Sequence, residues 1–438
     1  MSYLLNKLET PINGFDLLIK INSFILIYVT FFTTKIPFDP ANYGDIFAEE
    51  TTDIKNQIVY LFLFFSSLIV FAKRSNDILT LIKSEKYLTL FVLICLVSAL
   101  WSEFSLLSFK RSFQLFVIFL VVIESVIILE PDVLMKQLKI VVSAYLFFNL
   151  FACLRVGAAI DPIFGTWRGI EVQKNHLAQT SLYCLLSSIV FFNLDKTRLA
   201  KQYDILLVII SVLLIYMARS STAILVLAMM VFLGLIFLVE SLFSKFGFGR
   251  TIMGLIFIFI LISSFLFLFF SSEIFGLIPG YFGKDMTLSG RIPIWEHTWT
   301  EIQKHLILGY GFATYWIMGH PRLEIFADYF EGFKVNQAHN GFLEILLQLG
   351  IVGSIFFLFL LAAYIYRMIK MKSNLAILVF VAILTLNYTE SALFKVGFGV
   401  TTFYFMASYI ALSVFHFKLK EINPDENDQI INKWGKKF

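Results

Sequence analysis

Arg219 stands in Met217-Ala218-Arg219-Ser220-Ser221-Thr222, a tight polar turn between two long apolar runs, so its guanidinium is held at the edge of whatever buries those runs. Arg291 follows Leu288-Ser289-Gly290, and Arg168 and Lys174 lie in Trp167-Arg168-Gly169 and Gln173-Lys174-Asn175-His176, just ahead of another apolar run. Two or three guanidinium groups converging on one pocket would grip a diphosphate through paired N–H···O bonds, with no metal required. A single Arg at a helix end more often reaches for lipid headgroups. Lys110 and Arg111, with no adjoining pattern, read that way.

A second group surrounds His339 and Asn340, in Asn336-Gln337-Ala338-His339-Asn340-Gly341-Phe342-Leu343-Glu344. Imidazole titrates in the range suited to taking a proton from a hydroxyl. The alternative is structural: Asn340 caps a following helix, and Glu344, four residues on, shares its face. Two carboxylates fall within apolar runs, Glu124 and Glu390. Such acids are costly in a bilayer and tend to be functional or paired. Glu390, in Asn387-Tyr388-Thr389-Glu390-Ser391, lies at the end of its run nearest the other polar groups, whereas Glu124 reads as structural.

The elements that must position these residues are membrane helices. Of 438 residues, 58% are hydrophobic and 15% charged, and mean hydropathy is +0.81, whereas soluble domains are about 45–50% apolar and about 25% charged. Runs able to span occur at 15–34, 58–71, 87–101, 113–129, 138–155, 176–194, 205–218, 222–239, 251–271, 342–366, 375–390 and 396–417. Their continuity, without strand alternation, predicts an all-α polytopic protein of about twelve transmembrane helices, because an isolated run in lipid must satisfy its own backbone. The first run follows a weak basic start at Lys7 without a small-residue cleavage site and reads as a retained helix.

Lys and Arg collect in alternate connections: at 73–86, 136, 196–201, 245–250 and 367–372, and again in the tail. By the positive-inside bias these are cytoplasmic, with both termini. The expected organisation is one membrane domain over 1–438, a large extracytoplasmic loop at 272–340 between helices 9 and 10, and a cytoplasmic tail at 418–438. A loop of that size is usually functional. Within it, 290–306 reads as an amphipathic helix with Ile294, Trp295, Thr298, Trp299 and Ile302 on one face, lying at the membrane surface or packed on the bundle.

Cys95, Cys153 and Cys184 all fall in apolar runs and read as small hydrophobes, so neither a disulfide framework nor a metal cluster is expected. No glycine-rich phosphate loop, HExxH or GxSxG is present, and no outer segment clusters carboxylates for a divalent ion; no cofactor is expected. The net charge of +4 gives no reason to expect nucleic acid.

At these residues the chain resembles the O-antigen ligase and polymerase superfamily, and within it the exopolysaccharide polymerases. The pattern runs through Gln173-Lys174-Asn175-His176, Ala218-Arg219-Ser220-Ser221-Thr222 and Ser289-Gly290-Arg291 with Trp295. It continues through Leu308-Gly309-Tyr310-Gly311, Ala338-His339-Asn340-Gly341 with Glu344, Leu349-Gly350 with Gly353, and Thr389-Glu390-Ser391. No tetrapeptide is specific by itself; the order is. Where the family often has Ser-Arg-Thr, this chain has Ala218-Arg219-Ser220, which keeps the Arg.

The resemblance implies a polytopic fold of the GT-C-like kind. It implies an inverting, metal-independent glycosyltransferase that polymerises undecaprenyl-diphosphate-linked oligosaccharides on the periplasmic face of a bacterial inner membrane. Arg219 and Arg291 would hold the diphosphate and His339 would assist the acceptor hydroxyl; Lys174, His176 and Glu390 match family positions with less defined roles. A chain-length regulator and a flippase are the protein partners it suggests. Two other readings stay open: a ligase, which passes the glycan to lipid A core or a protein, and a lipid-linked glycan transporter. Transporters usually place polar groups at the midplane within paired repeats, whereas here they gather at one rim.

Overall fold

The structure is a computed structural model that describes residues 14–32, 54–161, 165–243, 291–317, 320–323, 335–371, 373–394 and 399–421. Among these the architecture is all-α, with a single isolated β-bridge between Ile160 and Trp167. In chain order the helices are α1 (Gly14–Phe31), α2 (Ile54–Ser84), α3 (Lys86–Val97), α4 (Ser105–Ile128), α5 (Pro131–Arg155) and α6 (Lys174–Leu194). They continue as α7 (Arg198–Ala218), α8 (Ser221–Phe243), α9 (Arg291–Lys304), α10 (Gly341–Met371), α11 (Asn374–Thr389) and α12 (Gly399–Glu421).

Each expected span falls on one of these helices except 251–271, which lies outside the described residues, as do 272–290, 324–334 and the tail beyond 421. Among the described residues, seven helices (α2, α4, α5, α6, α7, α8 and α10) are long and apolar enough to cross a membrane. The protein is therefore a multi-pass membrane protein. Many side chains on these helices face outward and are apolar, such as Phe65, Ile209, Tyr216 and Phe151. That is what a bundle in lipid requires, since hydrocarbon is as good a neighbour for them as protein.

Helix α4 is the most central of the early helices, touching α1, α2, α3 and α12. Its Glu124 is buried and accepts from Ser67 Oγ at 2.9 Å. Helices α6 and α7 pair antiparallel along their length, and α8 packs on α11. Thr385 Oγ1 of α11 meets the sulfur of Met229 in α8 at 3.6 Å. Met229 is eight residues past Ser221, and Thr385 five residues before Glu390. At 1.5 Å rise per residue these are about 12 and about 7 Å. With Gly399, at the start of α12 just past Glu390, against Thr30, and Phe31 on Tyr145, which binds Glu171 beside the Arg168 connection, the Arg219 turn and Glu390 share one end of the bundle.

A smaller second core sits at that same end. Helix α9 buries Ile294, Thr298 and Ile302, spaced four apart, against Tyr315, Trp316, Ala338 and Leu347. Fully burying an aliphatic side chain contributes about 1.5–3 kcal/mol, which anchors a helix as short as α9 to protein. Trp299, expected on the same face, is 49% exposed. The amphipathic segment forms a helix over Arg291–Lys304 that packs on α10.

Helix α10 breaks at Gly350, whose φ of 62° and ψ of −163° only glycine adopts readily. The backbone groups freed by the break are taken up by the strap 306–311. Ile351 N donates to Leu306 O (2.9 Å), Tyr310 N to Leu347 O (3.0 Å) and Gly311 N to Gln348 O (2.8 Å). A Cβ on Gly309 would lie 2.4 Å from the carbonyl carbon of Gln348, and one on Gly350 2.2 Å from Ile307 O. Glycines at both crossing points are what lets the two backbones meet. The half-helix before the break, opening at Gly341, thereby stands clear of the span that follows it and faces the second core.

Candidate active site

His339 sits immediately before α10 with φ of 50°, a left-handed backbone unusual for a residue with a side chain. Its Nδ1 lies 2.6 Å from Glu390 Oε2, the residue that ends α11. A carboxylate at that distance accepts a hydrogen bond from Nδ1–H and leaves Nε2 as the imidazole's acceptor. The Gln337 amide donates to the same Oε2 at 3.0 Å. Arg291, first residue of α9, closes the group from the other side, its Nη2 donating to Glu390 Oε1 at 3.0 Å. The side chains of His339 and Arg291 are 23% and 24% exposed and that of Glu390 is 5% exposed. The carboxylate is thus sealed while the imidazole and guanidinium stay reachable.

Asn340 caps α10 as its position predicts: its Oδ1 accepts from Phe342 N (3.0 Å) and Leu343 N (3.3 Å). Gly341 is needed next because a Cβ there would lie 2.0 Å from Asn387 Oδ1. The cap and this close approach bring the start of α10 against the end of α11, and so His339 onto Glu390.

Arg219 occupies the C-terminal cap of α7 in the left-handed conformation, φ 50° and ψ 41°, where Gly or Asn is the usual choice. Its side chain is exposed and makes no ion pair among the described residues. Holding a non-glycine residue there costs on the order of 1 kcal/mol or more. Trp167 N donates to Met217 O at 3.1 Å, tying the connection that carries Arg168 to the Arg219 turn. Arg168 itself is half-buried, its Nε on Ala158 O at 2.9 Å. Lys174 and His176 are in the first turn of α6, half-buried.

Two groups therefore result. Arg291, His339 and Glu390 touch one another; Arg168 and Arg219 are joined through backbone, with Lys174 and His176 six to eight residues beyond Arg168. Both groups lie at the same end of the bundle.

Beside Lys174, Glu171 accepts from Tyr145 Oη at 2.8 Å, and burial against α5 pushes its carboxyl up to about 7. The connection is seated by Asn149, whose Oδ1 accepts Ile170 N at 2.9 Å in the space a Cβ on Gly169 would fill.

One expectation is overturned. Arg111 is not a headgroup contact: it is 5% exposed, donates to Ala313 O, and lines a cavity of about 40 Å³ with Glu344, Gln348, Trp316 and Asn336. Its burial depends on the strap 306–314 folding back over α4, and no local pattern in the chain announces that. Gln337 was also missed, although it stands in the motif. Its i−2 spacing from His339 says nothing of a shared carboxylate.

Residues 206–358 match the model of a family described as O-Antigen ligase. That stretch holds Arg219, Arg291 and His339, and leaves Arg168, Lys174, His176 and Glu390 outside it. The chain is also similar to the exopolysaccharide production protein ExoQ of Rhizobium meliloti (strain 1021), 29% identical over 96 residues. The matched stretch is 22% of this chain and 22% of that relative, about a fifth of either length.

Proposed function

We propose that this chain, similar over residues 206–358 to the O-antigen ligase family, is an inverting glycosyltransferase that polymerises undecaprenyl-diphosphate-linked oligosaccharide repeats at the periplasmic face of a bacterial inner membrane. The observation that carries this is the contact of His339 with the sealed carboxylate of Glu390, at the same rim as the exposed Arg219.

In this reading an acceptor sugar hydroxyl gives its proton to His339 Nε2 as its oxygen attacks the anomeric carbon from the face opposite the diphosphate. The new C–O bond forms, the old one breaks, and its electron pair leaves on the lipid diphosphate. Glu390 holds the ring and steadies the imidazolium, as a buried carboxylate does for a catalytic imidazole elsewhere. Charge grows on the leaving diphosphate, so the main need is for cations aimed at it. Arg219 supplies the first, Arg291 and Arg168 the next, with Lys174 at the mouth of α6. Because diphosphate leaves without being protonated, the paired carboxylates of glycosidases are not needed. The prenyl chain stays in lipid beside the bundle.

The family description itself favours a second reading, transfer of the finished glycan to a different acceptor by the same chemistry. A deletion strain separates them. Loss of long polymer, with single repeats still reaching their final acceptor, supports the polymerase; accumulation of lipid-linked polymer supports the ligase.

A further inference from the structure

We infer that Glu344 is a positioning residue: a single carboxylate that sets the separation of His339 and Glu390. The inference rests on the dyad reading above and adds to it the part that holds the dyad in register.

Glu344 lies one turn into α10 and is 8% exposed. Its carboxylate accepts four hydrogen bonds from three separate segments. Oε2 takes Ala338 N at 2.8 Å and Ser391 Oγ at 3.2 Å. Oε1 takes Trp316 Nε1 at 2.8 Å and Gln348 Nε2 at 2.7 Å. Ala338 immediately precedes His339, and Ser391 immediately follows Glu390. One oxygen thus bridges the two chain segments whose next residues form the dyad.

The backbone of His339 needs such support. A left-handed φ on a residue with a side chain persists only where its neighbours over-determine it. On one side Ala338 is held at both ends, its N–H by Glu344 and its carbonyl by Trp295 Nε1 at 2.9 Å. On the other, Asn340 caps α10. Among these, only Glu344 also holds the Glu390 segment.

The cavity beside Glu344 does not read as a ligand pocket instead, because its polar lining is turned on itself. Gln348 donates to Glu344 and accepts Ala313 N at 2.8 Å, while Arg111 binds Ala313 O. These groups brace the carboxylate.

The test is a kinetic cycle on purified protein with lipid-linked donor. Glu344→Gln keeps the shape but puts an amide N–H₂ against two of the four donors. A catalytic group displaced by about 1 Å loses on the order of 10²-fold in rate. Glu344→Gln is therefore expected to lower kcat by roughly 10–100-fold and leave donor KM within about twofold. In a His339→Ala background it should cost nothing further beyond about threefold, because it acts through His339. Ser391→Ala, which removes a single bond on the Glu390 side, should give a smaller kcat loss absorbed in the same way, and it serves if Glu344→Gln does not fold. A multiplicative loss in the double variant, or a loss carried by KM, overturns the role of Glu344 while leaving the dyad. Full activity of His339→Ala alone would sink the dyad reading, and this inference with it.

Discussion

Cations drawn from the two ends of the bundle are held in contrasting ways. At the end away from His339, Arg367 donates to Glu85 Oε2 at 2.6 Å and lies 4.2 Å from the ring centre of Tyr409. Lys139, in the third turn of α5, sits between Asp195 (2.6 Å), which ends α6, and Asp204 (2.5 Å) of α7. Glu85 and Asp204 are fully buried, and Arg367 and Lys139 are each matched inside the protein. At the His339 end, Arg219 is exposed, held in a strained backbone, and makes no ion pair among the described residues. Arg291 spends one nitrogen on Glu390. Arg367 and Lys139 are thus satisfied within the fold, whereas Arg219 is left open, and on the reading proposed above that opening is where the diphosphate binds.

The sharpest way to break that contrast is to remove one cation from each end. Arg219→Ala should lower turnover of lipid-linked donor by at least about 10²–10³-fold, the loss expected when a group that stabilises developing charge is taken away. The thermal midpoint should hardly move, and Lys should rescue poorly because it lacks the planar fork. Arg367→Ala should do the reverse. Leaving Glu85 buried without its partner costs about 3–5 kcal/mol, so thermal stability in detergent should fall steeply while the protein that remains folded keeps its specific activity. Equal effects of the two variants on turnover and stability would erase the distinction.

Gly350→Ala tests the strap that carries the second core. The backbone alone costs of order 1–3 kcal/mol there, and the added methyl meets Ile307 O. Proteolysis of the 306–311 strap in membranes should become faster; an unchanged cleavage rate would mean that the break tolerates a side chain.

Much of this was open to reading in the chain. Continuous apolar runs specify helices in lipid because no other local structure satisfies the backbone there. Asn340 ahead of an apolar run specifies a cap, and the cap is present. The dyad was half legible: His339 and Glu390 could each be singled out, but they are 51 positions apart and meet through the α10–α11 contact at Gly341. The glycines at 309 and 350 could be noticed as a pattern, yet their reason is mutual, each clearing space for the other segment's backbone. Arg111 was misread because a cation next to an apolar run looks the same whether it faces headgroups or a folded strap.

Smaller effects sharpen the picture of the rim. Asn340→Ala should cost about 0.5–2 kcal/mol through the lost cap, seen as a lower thermal midpoint together with some loss of turnover, since His339 adjoins it. The carboxyl of Glu171, at about 7 when folded against an ordinary 4.5, favours the folded form when protonated. Its contribution is full below about pH 4.5 and is lost as pH rises through 7. Thermal stability should therefore decline across that window, and Glu171→Gln should flatten the decline; an unaltered pH profile in the variant would remove Glu171 as its cause.

The central claim is a division of labour, with the His339–Glu390 dyad moving the proton and the arginines holding the diphosphate. It is tested most directly by measuring turnover and donor affinity for wild type, His339→Ala and Arg219→Ala in purified protein with lipid-linked donor. Removal of a general base costs about 10²–10⁴ in rate, so His339→Ala should lose that much turnover with donor affinity preserved, while Arg219→Ala loses donor affinity as well. Lost donor affinity at unchanged turnover in His339→Ala would place the imidazole in the diphosphate site and contradict the account.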